Sequence, residues 1–216
     1  TIELQTADFN VYVSALKEQH VVVESGKRKQ LIEDQLNAIY SNYQSSHNQP
    51  ALVDEVCNLV EWPHAIEGTF EEEFLEVPAE VIEAAMMGHQ RYFPVRDANG
   101  KLVNRFAFIS NRDGSSDDVI RTGNARVLRA RLADARFFWD EDRKTRLEAR
   151  VDDLKDVLYQ VKLGTYYDRT QRLRKMAAFV AGEVETGSAD ALDRAALLCK
   201  TDLLTNMVYE FAKLQG

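Results

Sequence analysis

The spacing of apolar residues along the chain predicts short mixed elements first and helices later. Two β-branched runs, at residues 9–13 and 20–23, predict strands. Residues 25–43 carry apolar side chains every three or four positions, which predicts an amphipathic helix. A second helix is expected from Pro50 to about Val60, because proline suits the first turn of a helix. The first part of the chain is therefore expected to mix strands and helices.

A β-hairpin is the clearest element in the middle of the chain. Asn99-Gly100 lies between two apolar runs, and both residues tolerate the positive φ that a tight turn needs. Pro94 in the first run lacks an N–H donor, so it predicts an edge or bulged position in that strand. Before the hairpin, residues 66–77 predict an acidic strand, and Pro78 predicts the start of a short helix.

Helical spacing dominates after residue 116. The predicted helix that follows Gly123-Asn124 carries four apolar residues on one face: Leu128, Leu132, Ala135 and Trp139. Further helices are predicted at residues 145–158, 165–184 and 191–214, with a loop at residues 185–190. The expected inner positions of the second of these include Tyr166, Leu173, Met176 and Phe179.

These patterns predict an α+β fold with two domains. Residues 1–115 are expected to form a small mixed α/β domain with an antiparallel hairpin, and residues 116–216 an all-α domain. The first residue is Thr1, and the last helix has no evident end. We therefore expect a piece of a longer chain, whose second domain is truncated at its C-terminal end.

Composition favours an ordinary cytoplasmic protein without a membrane partner. Of 216 residues, 45% are apolar and 29% are charged. No apolar run approaches the roughly 20 residues of a membrane span, and no secretion signal stands at the start. Cys57 and Cys199 are expected to be reduced core residues, as is usual in the cytosol.

Charge is distributed unevenly along the chain. The net charge of −8 combines −12 over residues 1–90, +5 over residues 91–150 and −1 over residues 151–216. A basic segment inside an acidic chain is the place where a polyanion such as a nucleic acid would bind.

Several arginines of the basic segment are candidate contacts to nucleic acid. On a helix, Arg126, Arg129 and Arg136 fall within roughly 80° of one another. A guanidinium group binds phosphate oxygens through two hydrogen bonds at once, which suits a row of this kind. Together with Arg91 and Arg121, these residues form the candidate nucleic-acid-binding set.

The same arginines have a simpler interpretation. They can lie on a solvated face and bridge to acidic neighbours such as Asp134, Asp140 or Glu141. The spacing alone does not decide between this interpretation and phosphate binding.

Motifs for catalysis and metal binding are missing from the sequence. There is no Gly-x-Ser-x-Gly elbow, no Gly-rich phosphate loop and no zinc-ligand spacing among two cysteines and four histidines. A helical metal phosphohydrolase would need a His-Asp dipeptide to hold a water-activating metal, and none is present. His89 is expected to bond a backbone group. We therefore predict no catalytic residue and no metal site.

Ordered motifs along most of the chain resemble one family. They are Leu52-Val-Asp-Glu-Val, Leu59-Val-Glu-Trp-Pro, Phe74-Leu-Glu-Val-Pro-Ala-Glu-Val, His89-Gln-Arg-Tyr-Phe-Pro-Val, the arginine-rich run 123–138, Lys162-Leu-Gly-Thr, Lys200-Thr-Asp-Leu-Leu-Thr and Glu210-Phe-Ala-Lys-Leu-Gln-Gly. The sequence resembles the β subunit of the bacterial two-subunit glycyl-tRNA synthetase. Two positions depart from the family's usual pattern: Ala125, where glutamate is usual, and Ala212, where proline is usual.

The resemblance implies that the chain belongs to an enzyme, glycine–tRNA ligase, without being its catalytic part. In this family the α subunit activates glycine with ATP and Mg²⁺, and the β subunit binds tRNA(Gly). No cofactor is therefore expected in this chain, and the expected partners are the α subunit and tRNA(Gly). The resemblance also implies that the helical domain is a degenerate relative of His-Asp hydrolases.

Two other functions stay open at this point. One is a hydrolytic module, either a metal-dependent phosphohydrolase or an editing-like domain. The other is a scaffold that docks the α subunit, for which the acidic first 90 residues are the available surface.

Overall fold

A computed structural model describes residue 2, residues 8–184 and residues 188–216 of the chain. Internal contacts divide it into two compact units, residues 1–134 and residues 135–216. The predicted α+β class is confirmed. The division between the units falls inside one long helix, whereas the boundary expected after residue 115 lies just before that helix. The boundary after residue 115 stays a prediction.

The first unit combines helices with one antiparallel sheet. In chain order its elements are α1 (Phe9–Glu18), α2 (Ser25–Ser41), α3 (Pro50–Cys57), β1 (Pro63–Thr69), α4 (Ala79–Ala84), β2 (Phe93–Arg96), β3 (Leu102–Asn111) and the larger part of α5 (Asp117–Asp142). A 3-10 turn at Glu72–Glu76 precedes α4, and a π-helical turn at Ala85–Gln90 follows it.

The sheet has the order β1-β3-β2, and the predicted hairpin of β2 and β3 is confirmed. In its turn Gly100 has a φ of 77°. The Asp97 carboxylate accepts hydrogen bonds from the N–H groups of Asn99 and Lys101, each at 2.9 Å. Pro94 lies on the edge strand beside a register shift, which fits its missing N–H donor.

A side chain of α2 bonds backbone groups of the other edge strand, β1. Gln35 Oε1 accepts a hydrogen bond from the Ala65 N–H at 2.8 Å, and Gln35 Nε2 donates to the Pro63 carbonyl at 3.1 Å. Because α2 packs on β1, this glutamine takes up hydrogen-bonding capacity that a further strand would otherwise use.

The main core lies between the sheet and helices α2 and α3. Its buried side chains are Ile32, Leu36, Tyr40, Leu52, Val53, Val56, Cys57, Val60, Phe93, Val95 and Ala107. The amphipathic pattern predicted for α2 is therefore confirmed. The Tyr40 hydroxyl donates to the Pro94 carbonyl at 2.7 Å, so the one polar group of that side chain is satisfied within the core.

Alternation along β3 turns Phe106 and Phe108 away from this core. The Phe106 ring stacks on Tyr92 with a centroid separation of 4.9 Å. Gly68 pairs with Phe106 across the strands, and a Cβ atom built on Gly68 would lie 2.5 Å from Phe106 Cζ. The ring therefore occupies the space that a side chain at position 68 would need.

The two strands predicted near the N-terminus are wrong. Residues 9–13 belong to α1, because the Asp8 carboxylate accepts two backbone hydrogen bonds from the first turn and caps a helix there. Residues 20–23 join no sheet. Their carbonyl groups are bonded elsewhere, since Arg28 Nη1 donates to both Val22 O and Val23 O at 2.8 Å.

Two other predicted boundaries in the first unit also differ. The strand expected at residues 66–77 ends at Thr69, and a 3-10 turn follows instead. The Phe70 N–H still donates to Asn104 O at 3.3 Å, but the Phe70 carbonyl accepts from the side chain of Asn104 at 3.1 Å and not from the backbone of β3, so the regular pairing ends here. Helix α5 begins at Asp117, so Gly123 lies inside it and does not start it.

The second unit is mostly helical, but it contains a small hairpin that corrects the expectation of an all-α domain. After the end of α5 come β4 (Leu158–Gln160), β5 (Gly164–Thr165), α6 (Tyr166–Glu183), α7 (Ala189–Leu198) and α8 (Asn206–Glu210). Short 3-10 turns lie at Leu147–Arg150, Asp152–Asp156, Thr201–Leu204 and Ala212–Leu214. The likeness to His-Asp hydrolases stays a prediction.

The end of α5 is tied to the start of α8 through Asp142. Its carboxylate accepts hydrogen bonds from the N–H groups of Asn206 at 3.0 Å and Met207 at 2.8 Å. Arg150 Nη2 lies 3.3 Å from Asp142 Oδ1, and Arg150 Nη1 donates to Leu204 O at 2.8 Å. The side chains of Asp142 and Arg150 are 10% and 13% exposed, so they form a largely buried ion pair.

Two helices predicted in the second unit are interrupted. In the range 145–158, Leu154 is buried but Leu147 and Leu158 are exposed, so there is no apolar face to sustain a longer helix. The helix predicted at residues 191–214 is divided: α7 ends at Leu198, a 3-10 turn follows, and α8 begins after Thr205. The hydroxyl of Thr205 donates to one backbone carbonyl and accepts from one N–H, and such bonds compete with a continuous helix.

Helix α6 is confirmed, but its predicted inner face is wrong at two positions. Met176 and Phe179 are 63% and 69% exposed. The side of α6 toward α7 instead carries Arg174, which forms two hydrogen bonds of 2.7 Å with Asp193.

Two smaller predictions about the second unit have separate outcomes. Cys199, expected in the core, is exposed, because it lies at the C-terminal end of α7. Of the loop predicted at residues 185–190, residues 185–187 lie outside the described residues. Ser188 then caps α7, which begins at Ala189.

Candidate nucleic-acid interface

The first unit has an open cleft of about 490 Å³ between the end of β1 and the N-terminal half of α5. We call it the arginine cleft. It is lined by Thr69, Phe70, Glu71, Arg121, Thr122, Ala125, Arg126 and Arg129. Three of the five arginines proposed from the sequence therefore lie at one place. The three differ in how their guanidinium groups are held.

Arg121 is fixed to the protein at both ends of its guanidinium group. Its Nε donates to the Glu67 carbonyl of β1 at 2.9 Å, and its Nη1 pairs with Asp118 on the same face of α5. These contacts tie the helix to the sheet. Arg121 therefore contributes positive charge to the cleft, but its guanidinium group is already bonded within the protein.

Arg126 lines the cleft and is exposed. Among residues 8–184 and 188–216, no carboxylate forms an ion pair with it, and no carbonyl accepts a hydrogen bond from its guanidinium group. Within that part of the chain, nothing takes up the five N–H donors of the group, which a ligand can therefore use. This makes Arg126 the best placed of the cleft arginines for a first contact with an anion.

Arg129 follows one turn after Arg126 and pairs with Glu71 across the cleft. The Arg129 side chain is 61% exposed and that of Glu71 36% exposed. The hydrogen bond from Arg129 holds the pKa of the Glu71 carboxyl below its usual value, so this carboxylate is ionised at neutral pH. An anion can therefore bind Arg129 only in competition with the Glu71 carboxylate.

The position of α5 beside the sheet is fixed by two further contacts. The Tyr92 hydroxyl donates to Asn124 Oδ1 at 2.5 Å, and burial raises the pKa of Tyr92 to about 12, which keeps that donor protonated. At the start of the helix, His64 Nε2 lies 2.8 Å from Asp117 Oδ2. Together with Arg121 they present the arginines of α5 from a rigid element.

The apolar face predicted for this helix is confirmed at Leu128, Leu132 and Ala135, each at most 1% exposed. Trp139 is only partly buried, and the Arg143 guanidinium lies 5.7 Å from its ring centroid. The arginine side chains therefore do lie on a different face from the packed one, as the spacing indicated.

Arg91 lies outside the arginine cleft. It ends the π-helical turn in a left-handed conformation, with a φ of 56°. Its Nε donates to Glu55 Oε1 at 2.7 Å, and its Nη1 donates to the Gly88 carbonyl at 2.7 Å. These bonds give Arg91 a local structural role, and its role as a nucleic-acid contact stays a prediction.

Arg136 belongs to the second unit, is half-buried and has interactions of its own within the protein. Of the acidic neighbours proposed as partners for the row, Glu141 pairs with Lys144. The acid that pairs with Arg129 is Glu71, which the sequence interpretation missed. The two are 58 positions apart, and the acidic run 71–73 was the one indication available.

Clusters of metal-ligating side chains are absent from the described residues, which contain no group of three or more histidine, cysteine, aspartate or glutamate side chains that could hold a metal ion. None of the helices in that part of the chain combines the length and apolar character needed to cross a bilayer.

Comparison with known proteins supplies the class of protein and then the family. Over residues 1–216 the chain matches a family of aminoacyl-tRNA synthetase subunits described as "Glycyl-tRNA synthetase beta subunit". Because the match covers the whole chain, the chain belongs to the glycyl-tRNA synthetase beta subunit family.

Individual relatives agree with this assignment. The chain is 45% identical over 211 residues to the glycine–tRNA ligase beta subunit of Geotalea uraniireducens, and covers 97% of its own length and 30% of that protein. It is 44% identical over 213 residues to the beta subunit of Syntrophotalea carbinolica, covering 98% of this chain and 31% of the relative. The chain thus spans about 30% of the length of these relatives.

Proposed function

We propose that this chain is part of a glycine–tRNA ligase beta subunit and contributes to glycylation of tRNA by binding tRNA. The observation that carries the proposal is Arg126, an exposed guanidinium without a protein partner among the described residues, in a cleft that two further arginines line. Family membership makes tRNA the polyanion to test first. The proposed partners are tRNA(Gly) and the alpha subunit, in the cytoplasm.

The proposed contribution of the cleft is to position RNA. Side chains at positions i and i+3 of a helix are neighbours, so Arg126 and Arg129 can bind phosphates of one strand. Contacts to phosphate fix the register and orientation of a nucleic acid, and they carry no sequence information by themselves. The choice of tRNA would then have to come from contacts elsewhere in the enzyme.

The chemistry of glycine activation is assigned to the alpha subunit in this proposal. ATP and Mg²⁺ would be used there, and no residue of this chain is given a catalytic role. The comparisons give no support to a hydrolytic module or to a pure docking scaffold, so tRNA binding is the one function proposed.

The proposal predicts that Arg126→Ala, Arg129→Ala and Arg136→Ala together weaken tRNA binding. They should be made in the full-length beta subunit assembled with its alpha subunit. Each lost phosphate contact should reduce the slope of log affinity against log salt by roughly 0.7 to 0.9. Binding of a tRNA(Gly) transcript is measured by fluorescence anisotropy at several salt concentrations.

A matched control for the single variant Arg126→Ala is Arg146→Ala, which also removes one positive charge, from a side chain that is 83% exposed and outside the arginine cleft. It should change affinity far less than Arg126→Ala does. An unchanged affinity and an unchanged salt slope in the triple variant would reject tRNA binding by these arginines. The single variant Arg126→Ala should account for a measurable part of the loss.

A further inference from the structure

Glu71 is held in the arginine cleft by the residues next to it. Phe70 is 4% exposed, its N–H donates to Asn104 O at 3.3 Å, and its carbonyl accepts from Asn104 Nδ2 at 3.1 Å. The 3-10 turn Glu72–Glu76 begins directly after Glu71. The backbone at position 71 is thus fixed on both sides, which directs this carboxylate to Arg129 across the cleft.

Arg126 and Arg129 are the two guanidinium groups that could bind a ligand in this cleft. The Glu71 carboxylate already occupies that of Arg129. Arg121 is bonded to Glu67 O and Asp118, and Arg129 is bonded to Glu71, which leaves Arg126 available. Ion pairs between side chains exposed to this degree are weak and screened by salt. A phosphodiester can therefore replace Glu71 on Arg129, but it has to compete for the place.

We propose that Glu71 is an internal competitor of phosphate, and that nucleic acid binds the arginine cleft by exchanging its phosphate for the Glu71 carboxylate on Arg129. The idea rests on the proposed function for the identity of the polyanion, but the exchange applies to any phosphate ligand. An RNA held also by other parts of the enzyme tolerates the cost of exchange. A polyanion that contacts the enzyme only in this cleft binds more weakly, because nothing else offsets the cost of displacing Glu71.

The competition predicts that removing the carboxylate strengthens binding. In the full-length beta subunit with its alpha subunit, Glu71→Gln should raise affinity for tRNA(Gly) and for inorganic tripolyphosphate by roughly 2- to 5-fold, the range of a weak exposed ion pair. The salt slope for tRNA should change by at most about one phosphate contact, roughly 0.7 to 0.9. Affinities are measured by anisotropy for tRNA and by calorimetry for tripolyphosphate.

The control is Glu72→Gln. Glu72 is the adjacent residue and is exposed, so the substitution removes the same charge at nearly the same place without touching the pair with Arg129. The change in affinity in Glu72→Gln measures the general effect of losing one negative charge. The increase in affinity in Glu71→Gln must be clearly larger than this change.

Each outcome decides between stated alternatives. If Glu71→Gln and Glu72→Gln behave alike, the exchange is rejected. If Glu71→Gln weakens binding, Glu71 orients Arg129 for its ligand and the competition is also rejected. If Glu71→Gln raises the affinity for tripolyphosphate, while neither this variant nor Arg126→Ala changes the affinity for tRNA, the exchange holds and the proposed function fails. If tRNA responds to Arg126→Ala alone, the proposed function holds and the exchange fails.

Discussion

Replacing Asp142 with alanine should destabilise the second unit by about 3–5 kcal/mol, the usual cost of leaving one partner of a buried ion pair behind. Arg150 is 13% exposed, and its Nε already has no hydrogen-bond partner among the described residues. Without Asp142 its charge would be retained in a poorly hydrated position. Asn206 and Met207 would also lose the acceptor of their N–H groups, at the start of α8. Urea unfolding followed by circular dichroism measures the change.

The control for this prediction is Asp152→Ala. Asp152 pairs with Lys155, but the two side chains are 79% and 54% exposed, so the loss should be about 0–1 kcal/mol. Adding Arg150→Met to Asp142→Ala should recover part of the stability, because it removes the unpaired charge. Equal small effects of Asp142→Ala and Asp152→Ala would contradict a buried ion pair.

Gly68→Ala should destabilise the first unit by about 1–3 kcal/mol through overpacking. The new Cβ atom would lie 2.5 Å from Phe106 Cζ and 2.7 Å from Phe106 Cε1. Phe106 is fully buried and stacked on Tyr92, so its ring cannot move aside without disturbing the sheet. Backbone entropy alone would favour alanine in a strand, so the clash determines the sign. The measurement is again the free energy of unfolding in urea.

Gly88→Ala is the matched control, since among the described residues nothing beyond the adjacent residues and the backbone of its own helical turn lies within 4 Å of a Cβ atom built at that position. It should be neutral or stabilise the protein by up to about 1 kcal/mol. Combining Gly68→Ala with Phe106→Leu should relieve the clash and leave the smaller cost of a shorter core side chain. A Gly68→Ala variant at least as stable as the unsubstituted chain would show that the ring yields freely.

The elements that the sequence predicted correctly are those whose causes are local. The hairpin depends on Asp97 and Gly100 within one turn, and α2 depends on apolar residues spaced along its own length. The strands predicted at residues 9–13 and 20–23 are wrong although the contacts that replace them are also close in sequence. Asp8 caps a helix directly before residue 9. Arg28, which follows Val22 and Val23 by six and five positions, binds both of their carbonyl groups.

The candidate site was predicted as far as one helix determines it. The spacing on α5 placed Arg126 and Arg129 on one face, and both lie in the same cleft. The spacing could not show that Glu71 lies opposite, because that contact depends on how the chain after β1 passes the helix. The same limit hid the Asp142 contacts, which join residues 64 and 65 positions apart.

The two edge strands determine how the sheet of the first unit can associate with other chains. At β2 the ring of Pro94 and the adjacent register shift interrupt the row of donors that an added strand would need. At β1 the amide of Gln35 already binds Ala65 N–H and Pro63 O. Recruitment of a foreign strand by backbone pairing is therefore obstructed on both sides. Contacts of this sheet with another polypeptide must be made by side chains, which lowers the risk of indiscriminate aggregation.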